Sequence, residues 1–447
     1  MSISLSSQPY DSSVMAHTLE QLGQESPGIL CKGIPASFAG KFADVGQAGF
    51  FLGDRRLPLP VALLRETAMM RNRTWMAEYL KSAGVDLAPH GKTSLAPELF
   101  RMQMEDGVWG LTAATAQQLA LFAAIGIRRV ILANQLVGDG NIAIALDCAA
   151  THPDLNFYTL VDSHENVTAL ISAWVHRSDI APLKLLIEVG VTGGRTGVRD
   201  VKRALDLARH ISQADGVLLA GIEGYEGIVP GADQAAREAA VSAMMQSILE
   251  LAQVSDSEGL WGCDEILLTA GGTEFFDLCS RGLMGFAGSR PHRVVIRSGC
   301  YITHDSIAYD RAFRRICERS PEAAALAVSR PEAALEVWAA VQSMPEPGLA
   351  FATLGKRDIS HDWDMPLPLR WLRPGQMLVP QPLPPGHRVL RLNDQHAYLE
   401  VPVGSPLAVG DMVGFGVSHV CTTFDKWRCL LTVDDNYRVT GAIRTFF

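Results

Sequence analysis

Val85-Asp86-Leu87-Ala88-Pro89-His90-Gly91-Lys92-Thr93 begins as a mostly apolar run and stops abruptly in a polar turn. The break places one amine, Lys92, at the carboxyl end of an expected β-strand, with an imidazole, a glycine and a hydroxyl around it. In an α/β barrel the loops at that end of the strands converge and hold the chemistry. A lysine there can lose its proton more easily than its reference value of about 10.4 suggests, and can condense with a carbonyl to an imine. Taken alone, a solvated lysine at a strand end is the ordinary reading. The rest of the chain has to decide.

Working outward, the same alternation recurs. Short apolar runs at residues 85–88, 130–133, 157–161, 184–189, 217–222, 266–269 and 294–297 are separated by stretches with helical spacing, such as 114–125 and 201–211. Such alternation predicts a parallel sheet, because each parallel pair needs a crossover. Seven strands are one short of eight, so we expect a (β/α)8 TIM-like barrel over residues 60–305 rather than an open doubly wound sheet. Residues 310–345, rich in Ala, Glu and Arg, are expected to be helical until Met344-Pro345-Glu346-Pro347-Gly348 breaks the chain. Beyond residue 348, strand-like pieces at 379–385, 396–403 and 412–417 predict a smaller β domain. The expected organisation is an extension at 1–59, the barrel at 60–305, and a C-terminal β domain with a helical insertion at 306–447.

Bulk composition narrows the function classes. At 447 residues the chain exceeds the size at which single cores stop growing. With 48% apolar and 19% charged residues it has the make-up of a globular protein. A formal net charge of −9 without a basic run argues against a nucleic-acid partner. No apolar stretch is long enough for a bilayer, so no membrane partner is expected. The serine-rich start, Met1 to Asp11, lacks the marks of a secretory signal. Eight cysteines without a CxxC pair read as reduced thiols of a cytoplasmic protein.

Three further constellations bear on Lys92. Leu268-Thr269-Ala270-Gly271-Gly272-Thr273 puts two glycines directly after a strand, where backbone N–H groups can cradle an anion; an ordinary glycine turn is the simpler alternative. Arg297-Ser298-Gly299-Cys300-Tyr301 has a similar form at the next strand end, and neighbouring strand ends of a barrel share one phosphate site. Glycine-flexed Val189-Gly190-Val191-Thr192-Gly193-Gly194-Arg195 delivers an arginine to the same mouth, and Gly224-Tyr225-Glu226-Gly227 a tyrosine. Finally, in Ser418-His419-Val420-Cys421, a strand would point His419 and Cys421 to one side, as two donors for one metal. From spacing alone, a buried thiol beside an unrelated histidine is the simpler reading. His361-Asp362-Trp363-Asp364 could line a substrate pocket, with a polar loop the simpler reading.

These motifs, in this order, resemble the fold-type III pyridoxal-phosphate enzymes with alanine racemase-like barrels, and among them the D-threonine aldolase and D-serine dehydratase family. The resemblance covers about residues 60–305 and resumes at about 375. It implies that Lys92 holds pyridoxal 5'-phosphate as an imine, with His90 beside the ring. Gly271, Gly272, Thr273, Gly299 and Cys300 would receive the phosphate, Arg195 and Tyr225 would contact the ring side, and Tyr301 would also contact the cofactor. His419 and Cys421 would bind a divalent metal, zinc by the softness of the donors, with manganese or magnesium as alternatives. It also implies a homodimer acting on a small β-hydroxy-D-amino acid. Aldolases of the family tend to carry aspartate where this chain has Cys421, whereas the dehydratases carry cysteine. Dehydration to a 2-oxo acid and ammonia is therefore the first expectation, and cleavage to glycine and an aldehyde the second. Racemisation would leave the metal pair without a use, and non-catalytic cofactor-binding barrels lack the second domain. Ile228, where relatives often carry histidine, is a departure.

Overall fold

The computed structural model describes residues 8–177, 179–326 and 330–447; residues 1–7 of the serine-rich start and 327–329 of the expected helical segment lie outside it. The first strand, β1 (Val61–Arg65), precedes the helix Glu66–Ala83. Eight parallel strands follow: β2 (Asp86–Leu87), β3 (Leu111–Ala113), β4 (Arg129–Gln135), β5 (Asn156–Val161), β6 (Leu183–Val189), β7 (Val217–Gly224), β8 (Ile266–Thr269) and β9 (His292–Ile296). They pair in the order β2-β9-β8-β7-β6-β5-β4-β3. Backbone contacts close the ring: Trp109 N–H donates to Leu87 O at 2.8 Å, and Thr112 N–H to Pro89 O at 2.9 Å. The expected barrel is present, and β3 is the eighth strand. Its three residues are too few to show a period.

Local chemistry starts the barrel helices where the strands end. Thr115, Ser163, Asp200 and Asp233 each accept a first-turn N–H of the helix they precede, satisfying one of its orphan donors. Inward-facing Ala88, Ile131, Tyr158, Leu160, Leu186, Ala220, Leu267 and Val295 fill the barrel lumen as a separate apolar cluster. The lumen is a packed core, so ligands are confined to the strand ends.

The second sheet holds β1 and β10 (Leu335–Glu346), β11 (Leu349–Ala352), β12 (Leu367–Leu372), β13 (Gln381–Pro382), β14 (Arg388–Leu392), β15 (Ala397–Glu400), β16 (Met412–Gly416), β17 (Cys429–Val433) and β18 (Val439–Arg444). Its main path runs β13-β12-β16-β10-β1-β17-β18. Here two expectations are corrected. The helical segment stops with the helices Ala308–Arg319 and Pro321–Ala325, and its expected last third is the twelve-residue strand β10. That strand is central, so its apolar residues are buried on both faces and do not alternate. The Pro-Glu-Pro-Gly break is the hairpin turn into β11, with Gly348 at φ +84°.

Val61–Arg65, the start of the expected barrel segment, pairs antiparallel with β10 and parallel with β17. Residues preceding it touch both sheets' surroundings. Asp11 N–H donates to Gly126 O at 2.7 Å on the barrel, while Phe42 and Val45 join an apolar cluster with Leu431 and Val439. Among the described residues, no helix is long and apolar enough to cross a membrane.

Candidate active site

The turn Gly91–Thr93 that carries Lys92 is fixed from both sides. Leu95 N–H donates to Gly91 O at 2.9 Å. A Cβ on Gly91 would lie 2.3 Å from the Phe122 ring, so only glycine lets the turn pack this closely. From the other side comes Gly299, where a Cβ would sit 2.6 Å from Thr93 Oγ1 and 2.7 Å from His90 O. The two strand-end turns read separately in the sequence are therefore in direct contact.

Lys92 opens onto a cavity of about 240 Å³ whose lining includes His90, Thr93, Arg195, Tyr225, Gly272, Thr273, Gly299, Cys300, His419 and Cys421. The expected residues thus converge, with two exceptions. Gly271 lies behind the lining, and Tyr301 is buried in the core, where Gln103 hydrogen-bonds its hydroxyl. Tyr301 is the middle residue of the tight turn Cys300–Ile302 and does not line the cavity. A larger cleft of about 670 Å³ lies elsewhere, lined by Arg65, Arg71, Arg314, Arg330 and the acidic residues between them.

The glycine turn uses its donors differently from the expectation. Glu226, fully buried, accepts Gly271 N–H at 3.0 Å and Gly272 N–H at 2.6 Å on its two carboxylate oxygens. The backbone here does cradle an anion, but that anion is the chain's own side chain. Donors for a phosphate are then Thr273 and the start of the turn Cys300–Ile302, whose first N–H groups have no partner within the turn.

Arg195 stacks over Tyr225 with its guanidinium carbon 4.9 Å from the ring centroid. Burial, and then Glu226, push the Tyr225 phenol up to about 12, so it stays protonated at neutral pH. His90 is kept neutral: burial, then the charges of Lys92, Arg297 and Arg195, hold its imidazole well below the usual range.

Two charged residues of the lining were not singled out in the sequence. Arg297 and Glu223 form a buried ion pair in the floor, and Arg297 also donates to Thr269 Oγ1 at 2.9 Å and Gly224 O at 3.1 Å. Burial outweighs Arg297 and pushes Glu223 up to about 7. Each ends an otherwise apolar strand run, which was the available signal. Around this one cavity, His90 Nδ1, Glu223 Oε2 and Arg297 Nε are buried without a hydrogen-bond partner among the described residues. Orphaned polar atoms beside a free amine and backbone donors fit a flat polar ring with an anionic arm.

His419 and Cys421 do meet, but not by strand alternation. β16 ends at Gly416, and the two residues flank the start of the short helix Cys421–Phe424. His419 Nδ1 contacts Asp362 Oδ2 at 2.6 Å, and Trp363 stacks on its ring at 3.9 Å and 4°. Residues 361–364 are a polar loop, as expected, yet they also build one wall of the site. Contact with the Cys300 thiol, and then with His419, holds the Cys421 thiol well below its ordinary range against the effect of burial. Burial opposes charge on His419, but Cys421 and Asp362 outweigh it and raise the imidazole. Such a thiolate–imidazole pair is a donor set for a borderline-soft divalent ion. Among the described residues no third His, Cys, Asp or Glu completes a cage, which leaves positions for water and substrate.

Comparison with known proteins agrees with this fold. Residues 334–433 match the family model of a putative serine dehydratase domain. A D-threonine aldolase of Arthrobacter sp is 28% identical over 219 residues, 49% of this chain and 56% of the enzyme. The chain spans about half the length of the curated relatives it matches. The D-threonine aldolase structure from Filomicrobium marinum superposes with a TM-score of 0.72 at 24% identity, covering 89% of this chain and 97% of that one. D-threo-3-hydroxyaspartate dehydratase from Delftia sp. HT23 gives 0.65 at 20%, covering 87% and 98%. A cysteine-to-alanine variant of a dehydratase of that name, in a metal-free form, gives the same 0.65 at 20%, again covering 87% and 98%. The architecture is the alanine racemase-like barrel with an appended β domain.

Proposed function

We propose that this chain, an alanine racemase-like barrel carrying a putative serine dehydratase domain, is a lyase that eliminates water from a β-hydroxy-D-amino acid with the help of pyridoxal 5'-phosphate and a divalent metal. The observation that carries this reading is the meeting of Lys92 with His419 and Cys421 across one cavity of about 240 Å³, although 326 or more residues separate them in the chain. The likeness to aldolases and dehydratases of hydroxy-D-amino acids supports the substrate class.

When bound, the cofactor ring withdraws electrons from Cα and the metal polarises the β-hydroxyl. The chain's own residues do the rest. Lys92 Nζ would anchor the cofactor and is the amine placed to take up the α-proton of the substrate. Neutral His90, the buried Arg297–Glu223 pair, Arg195 and Tyr225 would hold the ring. Thr273 and the turn at Gly299 and Cys300 take the phosphate arm. His419 and Cys421 hold the metal, and zinc suits a thiolate with an imidazole. Trp363 and Met365, large and exposed near the mouth, offer a surface that a second copy of the chain would cover in a homodimer.

Aldol cleavage is the second reading, favoured by the relatives named for that activity. The Cys421 thiol favours dehydration, since a harder metal for aldol chemistry prefers a carboxylate. Incubation with D-serine, D-threonine and D-3-hydroxyaspartate decides. Ammonia and 2-oxo acid are expected; glycine with aldehyde as the main products would replace the first reading by the second. No product from any of the three, with cofactor and metal loaded, would end both.

A further inference from the structure

Two thiols line the substrate cavity from different sheets. Cys300 opens the turn after β9, and Cys421 opens the short helix after β16. They are 121 residues apart in the chain, yet their sulfurs lie 3.8 Å apart. The Cys421 sulfur also lies 3.5 Å from Thr93 Oγ1, in the turn that holds Lys92. All eight cysteines are free. A disulfide needs the sulfurs at about 2.05 Å, so the gap to close is short, and each sulfur swings on its own Cα–Cβ bond. Other thiols differ in setting: Cys279 is fully buried in the main apolar core, and the adjacent Cys31 and Cys429 sit inside apolar packing.

We propose that Cys300 and Cys421 form an oxidisable pair, a modification site for small hydroperoxides that enter the substrate cavity. The Cys421 sulfur attacks one peroxide oxygen; the O–O bond breaks, and the thiol proton leaves with the other oxygen as water or alcohol. Cys421 is then a sulfenic acid. The Cys300 sulfur attacks the Cys421 sulfur, the S–O bond breaks, and the hydroxyl departs with the Cys300 proton as water. Two thiols thus lose two electrons and one hydroperoxide gains them. The consequence for activity rests on the proposed metal site, because the disulfide takes Cys421 away from the metal. Metal and oxidant compete for one sulfur. The bond would also tie the turn at Cys300 to the helix at Cys421, across the place where substrate enters.

The test uses the full chain in metal-stripped and zinc-loaded forms, treated with hydrogen peroxide, alkylated, digested without reductant and mapped by mass spectrometry. A Cys300–Cys421 linked peptide should form in the stripped protein, disappear on dithiothreitol treatment, and form at least tenfold more slowly in the zinc-loaded one. Zinc uptake, read by competition with a chromogenic chelator, should be lost with the linkage and regained on reduction. Cys300→Ser should give no linkage and leave Cys421 to oxidise irreversibly. Overoxidised Cys421 beside alkylatable Cys300 in the wild-type chain would overturn the proposal, and so would two unmodified thiols. If the linkage forms but the stripped, reduced protein never takes up zinc, the metal reading fails while the oxidisable pair stands.

Discussion

Asp362 grips one nitrogen of His419 and leaves Nε2 as the nitrogen free for a metal. Such outer partners fix ring orientation and tautomer, and their loss costs about 10–100-fold in metal affinity. Asp362→Ala should weaken zinc binding by about that factor in chelator competition while the fold, read by circular dichroism, is kept; unchanged affinity would remove Asp362 from the positioning role. A second residue sets a pH dependence. Asp305 is buried, and burial pushes it up to about 7 although it accepts N–H groups from Ile307 and Tyr309 at 2.9 Å each. The folded state therefore holds this proton more tightly than the unfolded chain. Its destabilising effect is absent at low pH, grows as pH rises from about 4 to about 7, and is constant above. Asp305→Asn keeps the acceptor and removes the charge. Urea unfolding should show it more stable at pH 8, by up to about 4 kcal/mol, and equal to wild type near pH 3, and the reverse order would refute the sign. At this scale the sequence was legible where a residue type is rare in its setting, as with Lys92 after an apolar run. Glu226 and Asp362 were not, because a carboxylate in a turn looks like surface until its partners, 45 and 57 residues away, are known.

Elements were legible in proportion to their length and to how one-sided their burial is. β5 and β6 were located to within one residue, whereas β3 has three residues and β10 hides its period by being buried on both faces. Among the glycines, Gly221 in β7 leaves the least room for a side chain. A Cβ there would lie 1.9 Å from Leu267 O, which is backbone of β8 and cannot move aside without opening the ladder. Gly221→Ala should cost about 3 kcal/mol or more, beyond the usual cost of an added methyl group in a core. A melting temperature within a few degrees of wild type would contradict that. Gly414, whose added Cβ would meet the Trp338 ring at 2.5 Å, faces a side chain instead and should be the milder site.

For the whole molecule, the fold class and the division into barrel and β domain follow from where strand–helix alternation stops. The placement of β1 does not, because a five-residue apolar strand carries no mark of which sheet it joins. In the structure β1 is the seam of the second sheet, with β10 on one side and β17 on the other. A fragment of residues 306–447 should therefore fail to fold on its own, giving no cooperative melt and no zinc uptake, and adding residues 8–83 in trans should not be needed by the intact chain. A cooperative transition in the isolated fragment would show that β10 and β17 can close without β1. The seam also sets a timetable for biosynthesis. At about 5–20 residues per second, β1 leaves the ribosome roughly 20–70 s before β17 exists to receive it. Through that interval its apolar residues Val61, Ala62, Leu63 and Leu64, all buried at the end, have no final neighbours. A nascent chain of this protein should accordingly lean on chaperones at its amino end, while the barrel behind it is already closing.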